Sequence, residues 1–195
     1  RRAHEATQAV AGQHDQVQRA LEGLEALRAT VADADADVDD DLDVLIDGAT
    51  TTYRRGRDAM AAAAAGGHDD EAFHEWRKRE KDLWYATRLL APSAPAVLGP
   101  QAKVLHVLSE NLGDDHDLAV LHDLVAVDPE AFGGQAAADA VVDLGGHTRV
   151  ALQRHAFGLG AQVYAERPRA YGRRLRTYWK TWERAGHDLP AGATD

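Results

Sequence analysis

His74, Arg77, Lys78, Lys81, Tyr85 and Arg88 recur along the stretch HEWRKREKDLWYATRLL at positions i, i+3, i+4, i+7, i+11 and i+14. An α-helix turns about 100° per residue, so this spacing lines all six up on one face. The stripe covers roughly 21 Å of helix. Its chemistry is that of an anion receptor. Arginine offers a planar fork that matches phosphate oxygens, and lysine adds a compact point charge. The nearby acids Glu75, Glu80 and Asp82 fall off the stripe, as does Arg79. The plain alternative is a solvated charged face with ordinary ion pairs.

One stripe does not decide between these readings, but it is not alone. Arg169, Arg173, Arg176, Lys180 and Arg184 repeat at i, i+4, i+7, i+11 and i+15 near the end of the chain. Tyr171, Leu175, Tyr178, Trp179 and Trp182 fill the other side of that segment. The cluster YRRGR sets Arg54 and Arg57 three residues apart, and Lys103 is the single lysine between Lys81 and Lys180. Several basic faces repel one another unless a counter-charge is supplied. An extended polyanion is the expected counter-charge, because the cations sit along helix sides. No GxxxxGK[ST] loop is present, which excludes a P-loop nucleotide site. The acids Asp114, Asp115 and Asp117 are candidates to absorb part of the charge internally.

Other chemistries are weaker. Glu71 and His74 have the Glu-x-x-His spacing of di-iron bundles, but that site needs two such motifs and more carboxylates. His106 and Glu110 lie at i, i+4, and the run Asp114, Asp115, His116, Asp117 could hold a divalent cation or cap a helix. Neither makes a metal site, and no metal or cofactor is expected. No Ser/His/Asp constellation or nucleophile elbow appears, so no catalytic residue is assigned and no enzyme activity is expected. Nucleic acid remains a competing ligand, since phosphate contacts alone would serve it. A protein-interaction bundle is the third reading.

The elements that would position these residues are all helical. No period-2 strand with turn signals occurs. A first helix fits 3 to 30 and an Asp-rich loop 33 to 41. A second helix fits 42 to 65 and is ended by Gly66-Gly67. A third, capped by Asp69 or Asp70, stops before Pro92. The segment 91 to 100 reads as a loop, and a fourth helix fits 101 to 112 with a break or kink at Gly113. A long helix fits 135 to 165, and a last one starts at Pro168 and ends near Gly186. Short loops between long helices predict an antiparallel α-bundle.

Composition agrees. The chain has 195 residues, 45% hydrophobic content and formal net charge −10. That is enough for one domain with a real core. The charge is uneven: residues 148 to 186 hold nine Arg or Lys and two Glu. An acidic protein can therefore still present a basic groove. There is no cysteine, which rules out disulfides and thiol chemistry and fits a reducing cytoplasm. No apolar run is long enough for a transmembrane helix, and no signal-peptide pattern is seen. The sequence opens at Arg1 and reads as a piece of a longer protein.

Four ordered stretches now carry a resemblance: YRRGR, then FHEWRKREKDLWY, then LGDDHDLAVL, then YAERPRAYGRRLRTYWK. Together, over roughly residues 50 to 185, they resemble the CHAD family, the conserved histidine α-helical domain. The resemblance implies an all-α fold of two similar bundles around a basic groove, binding of inorganic polyphosphate, residence at polyphosphate granules, and frequent company of a CYTH-type domain. The site residues it implies are His74, Arg77, Lys78 and Lys81, with Arg54 and Arg57 from the preceding helix. Arg88, Lys103, Arg173, Arg176 and Lys180 would contribute, and Asp117 would orient a basic residue. Family members commonly carry another basic residue near Trp84. An earlier half with its own His-x-x-Arg helix is not seen, since His4 and His14 lack that context. The chain is therefore read as residues 1–50, a connecting helix and acidic linker, 51–186, mainly the second bundle, and 187–195, a loose tail.

Overall fold

The computed structural model describes residues 42–67 and 69–186. Among these residues five α-helices follow one another: α1 Leu42–Ala65, α2 Asp70–Leu90, α3 Pro95–Val127, α4 Gln135–Val163 and α5 Pro168–Arg184. Short 3-10 turns at Ala91–Ser93 and Pro129–Phe132 flank α3. No strand occurs among the described residues, and the fold is an all-α helical bundle. The expected helix over 3 to 30, the Asp-rich loop and the tail lie outside the described residues.

Local chemistry sets most boundaries. Asp69 caps α2, its side chain accepting from the Glu71 amide at 3.2 Å. Gly67, at φ 59°, ends α1 in the left-handed conformation that glycine adopts without strain. Pro168 occupies the first turn of α5.

The loop expected over 91 to 100 and the break at Gly113 are not found. Instead α3 starts at Pro95 and runs 33 residues without interruption. Pro95 suits a first turn, where its missing N–H costs nothing, and Pro100, inside the helix, gives up one backbone bond. Gly113 is carried through because tertiary packing overrides its helix cost of about 1 kcal/mol. Leu105, Leu108, Leu112, Asp115 and Ala119 are all buried, at steps of three and four residues across it. Such a stripe continues only if the helix does.

Successive helices pack as neighbours, α1 on α2, α2 on α3 and α3 on α4, and α5 returns to α1. Their core is aromatic and leucine-rich. Tyr53 stacks on Tyr171 at 4.1 Å and meets Tyr164 edge-on at 5.4 Å. Trp76 stacks on Phe157 at 5.1 Å. Close approach of α4 at this level needs Gly160, where an added Cβ would lie 2.7 Å from Met60 Sδ and 2.8 Å from Trp76 Cζ2.

One buried ion pair crosses the bundle. Asp115 of α3 is 1% exposed and accepts from Arg149 Nε at 3.0 Å and Gln153 Nε2 at 2.9 Å, both on α4. Arg149 also reaches Asp70 at the start of α2. Burial opposes the charge on Arg149, and the two carboxylates outweigh it, so its pKa is raised. Isolated buried charges are costly unless paired, so Asp115 and Arg149 depend on each other.

Candidate functional site

The α2 stripe does not face open solvent along its whole length. Arg77 and Lys81 turn toward α3 and line a groove of about 540 Å³. Trp84 of α2 completes that wall. Across it, α3 contributes His106, Ser109, Glu110, Asn111, Gly113, Asp114 and Asp117. Arg77 Nε packs close over Gly113, where a Cβ would sit at 3.6 Å. Neither Arg77 nor Lys81 has an ion pair within 4.0 Å among the described residues.

The aromatic at Trp84 organises the groove's edge. Its ring stacks on His106 at 5.1 Å with planes 12° apart. The Arg88 guanidinium lies over the same ring at 5.1 Å from the centroid. Arg88 is thus held by a cation–π contact rather than by a carboxylate. One turn from the other end, His74 packs beside His116 with ring centroids 4.9 Å apart, and its buried Nδ1 has no hydrogen-bond partner. Asp117 lies 3.4 Å from His116 Nδ1. Asp117 thus meets the neighbouring His116, and among the described residues it has no ion pair within 4.0 Å to an arginine or lysine of the stripe.

The remaining cations are less free than their spacing suggests. Lys78 pairs with Glu75 at 2.8 Å, although the stripe geometry put that acid off the basic face. Hydrogen bonds from Lys78 and Arg79 hold the Glu75 carboxyl below its ordinary range. The i+3 spacing of Glu75 and Lys78 makes such a pair accessible to any exposed helix. Arg57 donates to the Glu166 carbonyl at 3.1 Å, and Arg176 pairs with Asp43 at 2.8 Å. Arg54, Lys103, Arg173 and Lys180 are exposed. Arg173 and Arg176, with Arg169, line a separate groove of about 270 Å³ between α1 and α5, opposite Asp47 and Thr50. The basic residues are therefore distributed over two grooves and the outer surface, and the larger groove has a carboxylate-bearing wall.

By its spacing Glu80 is simply an acid lying off the stripe. It is 0% exposed, and neither carboxylate oxygen has a hydrogen-bond partner among the described residues. Burial pushes its carboxyl up to about 8, against smaller opposing effects of Ser109, Lys81 and Arg77. The signal was available in the sequence. Phe73, Trp76, Glu80, Leu83, Thr87 and Leu90 follow the three-and-four spacing of a single buried arc.

No group of three or more His, Asp or Glu able to hold a metal ion occurs among the described residues.

The class that emerges is an all-α bundle with a groove between two neighbouring helices, lined by Arg77, Lys81 and Trp84 on one side and by Glu110, Asp114 and Asp117 on the other. The CHAD domain family model matches residues 1–126, well over half of the chain, and the chain belongs to the CHAD family. The matched span reaches further toward the N-terminus than the motifs quoted from the sequence and includes both walls of the α2–α3 groove, while α4 and α5 lie beyond it. No curated protein and no solved structure is a significant match to the chain. No described helix is long and apolar enough to cross a membrane.

Proposed function

We propose that this domain binds inorganic polyphosphate, without catalysing its turnover, and that the α2–α3 groove is the principal contact. The observation that carries the reading is the pair Arg77 and Lys81, which line the groove without an ion pair within 4.0 Å among the described residues. A polyanion laid in the groove would supply that counter-charge through charge-assisted hydrogen bonds. Counterion release would add affinity at low salt. His74 and Arg88 flank the contact, while Lys78 must leave Glu75 to join it. Arg54, Arg57, Lys103, Arg173, Arg176 and Lys180 would extend the field or catch a long chain beyond the groove. Membership of the CHAD family supports this reading.

A single-stranded nucleic acid would need free aromatic faces on which bases could stack. Trp84 is engaged by His106 and Arg88, which favours a ligand without bases. We place the domain in the cytoplasm, at polyphosphate granules, with a CYTH-type domain in the same or a partner protein as its expected companion.

The test compares binding of long-chain polyphosphate and single-stranded RNA at equal phosphate concentration and two salt levels. Arg77→Ala/Lys81→Ala is expected to lose polyphosphate binding, and Lys78→Ala to lose less. Equal affinity for both polymers would reduce the site to a general polyanion surface. Normal binding by Arg77→Ala/Lys81→Ala would remove the groove from the function.

A further inference from the structure

We infer that Glu80 takes up a proton when a polyanion occupies the groove, so that this buried carboxyl couples polyphosphate affinity to pH. The inference rests on the polyphosphate reading of the groove. Glu80 lies between Arg77, one turn before it, and Lys81, the next residue, and those two cations form the α2 wall. Its own side chain points away from solvent, at 0% exposure, and its oxygens have no hydrogen-bond partner among the described residues. Ser109 of the α3 wall is its polar neighbour and favours the ionised form. Tyr164, at the end of α4, is the titratable group on the core side, and Tyr53 of α1 packs on Tyr164 in turn. Among the described residues no acid pairs with the carboxyl, and the cations acting on it are the two that would bind ligand.

The coupling follows from that arrangement. With the groove empty, Arg77 and Lys81 favour the ionised form of Glu80 and partly offset its burial. A bound polyanion neutralises both cations and adds negative charge behind the same helix turn. The ionised carboxylate then loses its favourable field and meets a repulsive one. Whatever disfavours the ionised form when ligand binds must make the protonated form bind ligand more tightly, because linkage is reciprocal. Since burial already holds the carboxyl near 8, the coupling operates between about pH 7 and 9.

The experiment measures long-chain inorganic polyphosphate binding to the wild type and Glu80→Gln at pH 7 and 9. It adds calorimetry at pH 8 in two buffers of different ionisation enthalpy. If binding raises the Glu80 pKa by about one unit, wild-type affinity falls about fivefold more than that of Glu80→Gln across this range. The same shift takes up about 0.4 proton per site at pH 8. Comparison with Glu80→Gln separates Glu80 from the histidines around the groove. Parallel profiles with no Glu80-dependent proton uptake overturn the inference and leave the polyphosphate site standing. Absence of wild-type binding at both pH values overturns the site and the inference together. Should Glu80→Gln not fold, the wild-type proton count decides: no uptake at pH 8 overturns the proposal.

Discussion

Replacing Glu80 by glutamine should make the folded domain less sensitive to alkali, and the size of the effect can be worked from the burial of the side chain. Glu80 sits in the core with its carboxyl pushed from 4.5 up to about 8 by desolvation. The folded state therefore holds a proton that the unfolded chain releases at ordinary carboxylate pH. Stability from this group is fully present below pH 4.5 and is lost as pH rises toward 8. Each unit of pKa difference corresponds to about 1.4 kcal/mol. Between pH 5 and pH 8 the wild type should lose about 3.5 kcal/mol from Glu80 alone, an upper value because solvent entry would relax the ionised group. Glutamine keeps the shape of the protonated acid and does not titrate. Urea denaturation of both proteins at pH 5, 6, 7 and 8 gives the comparison. The stability difference should move steadily in favour of Glu80→Gln as pH rises, by about 2 to 3.5 kcal/mol over the range. A constant difference would refute the reasoning, since it would mean that Glu80 titrates alike in the folded and unfolded states.

Other perturbations test other parts of the bundle. Arg149→Met leaves Asp115 buried without its cation and should cost about 3 to 5 kcal/mol in chemical denaturation, whereas replacing both by apolar residues should cost far less. Gly160→Ala forces a methyl group against Met60 and Trp76 and should destabilise by about 1 to 3 kcal/mol. Gly48→Ala, where a Cβ meets nothing within 4 Å, should stabilise by up to about 1 kcal/mol in the same assay. Trp84→Ala removes the ring that holds Arg88, and polyphosphate affinity should fall with a shallower salt dependence as one positioned cation is lost.

Much of this protein was legible as periodicity. The spacing of Arg77, Lys81 and Arg88 against Trp76, Leu83 and Leu90 set the two sides of α2, because a helix has one fixed turn angle. Asp69, Gly67 and Pro168 marked ends for local reasons of capping and backbone freedom. Length, composition and the absence of alternating patterns pointed to an all-α bundle. The quoted motifs led to the CHAD family.

What the spacing could not reveal was partnership across helices. Gly113 looks like a break until the buried leucines on either side are seen to share one interface. Lys78 and Lys81 are equivalent on a helical wheel, yet one meets Glu75 and the other opens into the groove. The late arginines share the charge of the early ones but line a different groove, because α5 packs on α1 while the larger groove lies between α2 and α3. Glu80 is an ordinary charged residue by type, and its carboxyl is pushed up only because the bundle closes over it. A helix's own geometry decides which residues share a face. Whether that face meets water, a carboxylate or hydrocarbon is decided by the neighbouring helices, and that is settled only when the chain has folded.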